Sequence, residues 1–225
     1  MELTTKQIQE IDTYISSCGV KFYDVRAEIV DHFATVLEQR LEENPVIDFK
    51  KEIVKTHRNF SNKGFSKLLE TKTKAVHKKF YISSLKHLLS FFKLPKIIIS
   101  IAIFLGLNQI MNLINDKELF FSCLSGLAML IVIISFVKEF LKRKKKRESF
   151  LTLNKNDSFL QLINFLAILF NSSINFRSKI SFEHDLYNQI HLGCFVLFIL
   201  FYWSGENVYY QNKKMVLKQY PNVKI

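Results

Sequence analysis

The chain has 225 residues with 32 Lys and Arg against 20 Asp and Glu, a net charge of +12, and 22 Phe, most of them beyond residue 90. That uneven apolar distribution argues against one soluble domain and separates a small polar part from a membrane part. The three Cys, at positions 18, 123 and 194, form no CxxC pair, which leaves neither a disulfide framework nor a Cys-based zinc site.

The first residues, "MELTTKQIQEIDTYISSCG", carry acids and polar groups at helical intervals. A secretory leader would instead have a basic start, an apolar core and a small-residue cleavage site, so the N-terminus is expected to stay where it is made. Thr4 and Gln7 have capping-box spacing, Ile8, Ile11 and Ile15 share one helical face, and Gly19 is a natural stop. A second helix is expected over residues 24–43, ended by Asn44 and Pro45 because Pro steers its predecessor away from helix. Its Val25, Ile29, Phe33, Val36, Leu37 and Leu41 form an apolar stripe. Asp48 caps a third helix that turns Phe49, Ile53 and Phe60 inward.

Beside that stripe, "DVRAEIVDHF" places Asp24, Glu28, Asp31 and His32 on one helix. A metal or acid/base site needs ligands converging from several elements, as where Glu-x-x-His recurs on two helices of a bundle. Here the spacing is Glu-x-x-x-His and it occurs once, so the four are read as a polar face available to a protein partner, with no metal expected. Asp24 near the helix start also complements the helix dipole.

The order of short amphipathic helices, the acidic "EIVDHFATVLEQRLEEN" and the membrane bundle that follows resembles the HAAS-type helical signalling domains attached to multi-span membrane proteins. The likeness covers roughly residues 1–70. It implies a membrane-tethered regulatory role, with a PadR-like transcriptional regulator as the kind of partner. Residues 1–70 hold ten Lys and Arg against twelve acids, a poor electrostatic match for DNA, so direct nucleic-acid binding is not expected.

Residues 71–96 hold seven Lys and no acid. Val76, Phe80, Leu85, Leu88, Leu89 and Phe92 fall roughly on one side, as expected of a basic amphipathic helix lying partly on the inner leaflet. Four spans are then expected, at residues 97–114, 119–137, 158–176 and 186–205, none containing Lys, Arg, Asp or Glu. Lys and Arg number eight between the second and third spans, one between the first and second, and two between the third and fourth. The positive-inside rule puts the "KRKKKR" loop and both termini in the cytoplasm, including the basic tail 206–225. Lys142, Arg143, Lys144, Lys145, Lys146 and Arg147 are read as a topology signal lying against anionic headgroups. The inner membrane is the expected location.

The short connection after the first span leads us to expect a tight hairpin, with Ala102 and Gly106 facing Ser122 and Gly126 as small pairs four apart. Asn108, Gln109, Asn171 and His191 fall at similar depth toward the outer side, His191 and Asn171 lying ten residues either side of Ser181. A neutral His191 bonded to Asn171 is expected there, as packing or as a pocket for a small polar or lipid ligand.

Walker, dinucleotide, HExxH and GxSxG motifs are absent, no Cys-His nucleophile pairing is read anywhere in the chain, and no cofactor or catalytic residue is expected. The fold class expected is all-α, a small cytoplasmic helical domain followed by a four-helix transmembrane bundle. The leading function is a non-enzymatic regulatory or accessory membrane protein with a partner-binding head. The alternative is a membrane enzyme or lipid-handling protein using the Asn/Gln/His cluster.

Overall fold

A computed structural model describes residues 2–44, 46–60, 64–144, 148–154, 157–177 and 185–223. Every regular element among them is helical: α1 (Thr5–Ser17), α2 (Tyr23–Glu43), α3 (Phe49–Phe60), α4 (Gly64–Ser90), α5 (Ile97–Leu113), α6 (Lys117–Lys144), a 3₁₀ turn (Leu151–Leu153), α7 (Asp157–Arg177) and α8 (Asp185–Gln219). They divide into two compact units. The first comprises Met1–Lys78, Arg147–Asn154 and Val216–Ile225, and the second Lys79–Lys146 and Lys155–Met215.

In the first unit the local signals act as their chemistry requires. The Thr4 hydroxyl accepts from the Gln7 amide at 3.4 Å while the Gln7 side chain accepts from the Thr4 amide at 2.8 Å, which satisfies two helix-end donors at once. Gly19 has φ +91°, a left-handed conformation that other residues rarely adopt. Asp48 Oδ1 accepts from the amides of Lys50 (3.1 Å) and Lys51 (3.3 Å) at the start of α3. Ile11, Ile15, Val25, Ile29, Phe33, Leu37, Ile53 and Phe65 close into one core, joined by Leu151 from the 3₁₀ turn. Each such side chain removed from water contributes on the order of 1.5–3 kcal/mol before chain entropy is counted. Pro45, expected to end α2, lies outside the described residues.

In the second unit α6 and α7 pack along their length. Ser125, early in α6, accepts from Asn171, late in α7, so the two helices run antiparallel. Their buried residues recur at steps of three and four: Phe121, Leu124, Ala128, Val132 and Ser135 on one, Leu160, Ile163, Ala167, Phe170 and Ile174 on the other. Ala128 and Ala167 are fully buried and let the backbones approach. A separate cluster gathers Phe91, Val196 and Leu200 with Leu88, Ile103, Phe104 and Leu107, placing α5 against α8.

Three helical stretches are long and apolar enough to cross a membrane: Lys117–Leu141 (25 residues), Phe159–Phe176 (18 residues) and Asp185–Gln219 (35 residues). The expected first span is shorter, since α5 has 17 residues, about 25 Å at 1.5 Å per residue. Its start follows the Pro95 turn, and its C-cap Ile114 is already extended.

The expected glycine hairpin is corrected here. Ala102, Gly106, Ser122 and Gly126 are all exposed, and a Cβ added at either glycine would meet nothing within 4 Å. The reason is rotational: α5 turns Ser100, Ile103, Phe104, Leu107 and Met111 inward, and α6 turns its seam toward α7, so both small pairs point away. The close glycine approach occurs instead at Gly205, where a Cβ would come within 2.1 Å of the Phe159 ring. Along residues 71–96, Phe80, Ser84 and Phe91 are buried, whereas Leu85, Leu89 and Phe92 are exposed.

We expect Gly205→Ala to destabilise the protein by roughly 1–3 kcal/mol through overpacking against the buried Phe159 ring. Gly106→Ala and Gly126→Ala should be neutral or slightly stabilising, since Ala favours helix and the space is open. Unfolding of the purified chain in mild detergent checks both, and restored stability in Gly205→Ala with Phe159→Leu would identify the contact. A second expectation concerns Glu52. Burial opposes its charge, but hydrogen bonds from Arg40 and Lys55 outweigh it and hold the carboxyl below its usual range. This stabilisation is present above the ordinary Glu value of about 4.3 and is lost as pH falls through the lower folded value. Hydrogen-exchange protection of α3 should therefore drop on acidification below that range, and Glu52→Gln should flatten the dependence.

Candidate functional site

The acidic face of α2 divides on folding. Asp24 turns toward the 3₁₀ segment: its Oδ1 accepts from the Leu151 amide (2.8 Å), and its Oδ2 accepts from the Thr152 amide (3.0 Å) and hydroxyl (2.6 Å). The residue read as part of a partner face is thus the cap of a segment 127 positions away. Next to it Arg26 is 7% exposed and donates to Asp12 (2.7 Å) and Glu148 (3.2 Å). Burial alone would disfavour its charge, but these two carboxylates prevail and raise the guanidinium above its ordinary value. Phe22 and Ser149 form a backbone bridge, and Tyr23 rests against Phe150 and Tyr220 at centroid distances of 5.3 Å each.

Glu28, Asp31 and His32 remain exposed. Glu28 accepts from Lys72 of α4 at 2.6 and 2.9 Å, and the His32 ring meets Phe60 edge-on at 5.5 Å. Asp24, Glu28, Lys72, Thr152, Gln219 and Tyr220 line a cleft of about 540 Å³ within the first unit. Burial raises the Tyr220 hydroxyl, and Asp24, Tyr23 and Glu28 raise it further, so this wall holds its proton and can donate. No group of three or more His, Cys, Asp or Glu that could hold a metal occurs among the described residues.

One constellation was invisible to sequence spacing. Tyr14 Oη lies 2.8 Å from His57 Nδ1, Cys18 Sγ lies 3.9 Å from the same nitrogen, and the imidazole stacks on Phe65 at 4.3 Å with planes 3° apart. Burial raises the Tyr14 hydroxyl, and Cys18 adds to it. The tyrosine is the nearer partner of the shared nitrogen, so the arrangement fixes α1 to α3 and does not present a thiol–imidazole dyad. The separation of 39 positions from Cys18 to His57 explains why no motif revealed it.

Among the described residues Asn108, Gln109, Asn171 and His191 are not hydrogen-bonded to one another. Asn108 accepts from Gln189 (2.7 Å), linking α5 to α8, while Gln109 is exposed. Asn171 donates to Ser125 (2.6 Å) and accepts from Asn175 (2.7 Å). His191 Nε2 lies 3.0 Å from Ser173 Oγ and its Nδ1 3.0 Å from the Tyr187 carbonyl, so the histidine bridges α8 to α7 through a serine and not through Asn171. Ser181, the expected midpoint of the outer turn, lies outside the described residues, as do the side chains of Lys142, Arg143, Lys144, Lys145, Lys146 and Arg147.

Replacing Asp24 by Ala should cost about 1–2 kcal/mol, the range for a lost cap, and should raise amide exchange at Leu151 and Thr152 specifically. Asp24→Asn, which keeps an acceptor, should exchange more slowly than Asp24→Ala. Comparison with protein-family models, with curated proteins and with solved structures found no match for this chain.

Proposed function

We propose that this chain is a non-enzymatic integral membrane protein whose N-terminal helical unit binds a protein partner in a regulatory or accessory role. The observation that carries this reading is the separately packed first unit, with its own apolar core and an open cleft edged by acidic residues of α2. Glu28, Asp31 and His32 are the residues left to meet a partner, and a basic surface suits them. The resemblance of residues 1–70 to HAAS-type signalling domains supports the same role.

The membrane arrangement we propose has both termini in the cytoplasm at the inner membrane, supported by the basic bias of the connections. α5 serves as a short fourth span, helped by Lys96 and Lys117 reaching the interfaces from its ends. The polar side chains of the bundle act as interhelical bonds, worth about 0.6 kcal/mol each on average. Their partners at Ser125, Ser173 and Gln189 support that role over a ligand pocket.

Two measurements test the proposal. With Cys123 and Cys194 changed to Ser, a membrane-impermeant thiol reagent should label the exposed Cys18 in inside-out vesicles and not in intact cells. A protein partner should co-purify stoichiometrically from gently solubilised membranes and be lost in Asp31→Lys, with circular dichroism and thermal unfolding matching the wild type; Glu28 is left in place because it holds Lys72. Labelling of Cys18 in intact cells would reverse the orientation. A retained ligand or turnover with no partner protein would overturn the role.

A further inference from the structure

We propose that the elbow between α4 and α5 is a seat for the headgroup of one anionic phospholipid, with Lys96 contacting the phosphate and the apolar side chains around it receiving the acyl chains. The inference rests on the membrane reading above and concerns residues within the second unit.

Lys96 stands at the N-cap of α5, and its ammonium finds only neutral company. Nζ lies 3.2 Å from Ser90 Oγ, 3.4 Å from His87 Nε2 and 5.3 Å from the Phe91 ring centroid. Among the described residues no carboxylate comes within ion-pair reach of it.

The surrounding hydrogen bonds assign every proton in one direction. Ser90 gives its hydroxyl to the His87 carbonyl (2.6 Å) and so receives from Lys96. Ser204 gives its hydroxyl to the Leu200 carbonyl (2.7 Å) and so receives from His87 Nδ1 at 3.2 Å. His87 Nε2 is thereby left to accept from Lys96. Burial, and then Lys96 itself, lower the His87 value and keep that ring neutral. Two donors of the ammonium are spent on neutral acceptors, and the third, with the whole charge, is left for an anion.

The rest of the elbow describes that anion. Phe92 (48% exposed), Leu94 (83%) and Trp203 (47%) stand around it, and Trp203 rests against Phe91 at 5.5 Å. A ligand for this place must offer anionic oxygen and hydrocarbon together, which a phospholipid does and a free phosphate does not. Within the second unit the surrounding stretch, residues 79–96, has four Lys and no acid, so its field favours the same sign. The first amides of α5 are already bonded to the carbonyls of Lys93, Pro95 and Lys96, which leaves the side chain of Lys96 as the anion contact.

The test uses the full chain reconstituted in phosphatidylcholine bilayers, with spin-labelled phosphatidylglycerol and spin-labelled phosphatidylcholine compared for the fraction immobilised by the protein. Wild type should prefer the anionic label by about five-fold, the factor one lysine charge contributes at an anionic surface. High salt screens exposed charges such as those of the polybasic loop, and the preference that remains there should vanish in Lys96→Gln and survive in Lys96→Arg. A photoactivatable phosphatidylglycerol on the wild-type chain should crosslink to residues 91–99, a readout that does not depend on any variant folding. A preference unchanged in Lys96→Gln, one erased by salt, or crosslinks confined to other segments would overturn the proposal while leaving the membrane reading intact. Failure of the chain to float with vesicles would overturn that reading, and this site with it.

Discussion

The second unit is governed by a constraint on the backbone. A segment inside hydrocarbon has no water to bond, so each amide and carbonyl must be satisfied within the segment, and an isolated segment then has to be a helix. α6, α7 and α8 contain stretches long and apolar enough for this, and the side-chain chemistry follows from it. Asn108 with Gln189, Asn171 with Ser125 and His191 with Ser173 each make a hydrogen bond between helices. The same condition favours small residues where helices touch, as Ala128, Ala167 and Gly205 do, because only close packing distinguishes a neighbouring helix from lipid.

The first unit is built around its own apolar core and a set of charge contacts. Its apolar side chains are enclosed by three short helices and the start of α4, and its charges are used to bring in a distant strip of chain. Asp24 and Arg26, two residues apart on α2, both reach the segment 148–154: one caps the 3₁₀ turn and the other holds Glu148. Leu151 can then enter the core beside them. A buried guanidinium with two carboxylates is costly to disturb, since removing either partner leaves charge poorly compensated. The arrangement makes residues 148–154 an integral layer of the first unit although they follow the polybasic loop in sequence.

The surfaces we propose for partners consist of the side chains that these demands leave over. On α2 they are the exposed Glu28, Asp31 and His32, with the cleft beside Lys72 and Tyr220; at the α4–α5 elbow it is the half-buried Lys96, with no carboxylate in reach among the described residues. The two surfaces differ in chemistry. The first mixes carboxylates with a proton-holding phenol and suits a basic protein surface, whereas the second joins one cation to exposed hydrocarbon and suits a lipid.

Sequence alone determined the features whose causes are local. The capping box of Thr4 and Gln7, the Gly19 stop, the Asp48 cap and the apolar stripe of α2 are each set within a few residues, and each is present. The long apolar runs likewise declared α6, α7 and α8, because length and composition suffice for that. Only the tertiary structure decided how the helices are rotated. In a soluble helix the polar face reports the outward direction, but in the second unit the outward faces are as apolar as the inward ones, as exposed Leu105, Leu127 and Ile133 show. Spacing therefore could not tell that Gly106 and Gly126 point away while Gly205 meets Phe159, nor that His191 finds Ser173 and not Asn171. Asp24 was misplaced for a related reason: its partners lie 127 and 128 residues on, and a carboxylate on a helix surface carries no mark of which distant amides will reach it.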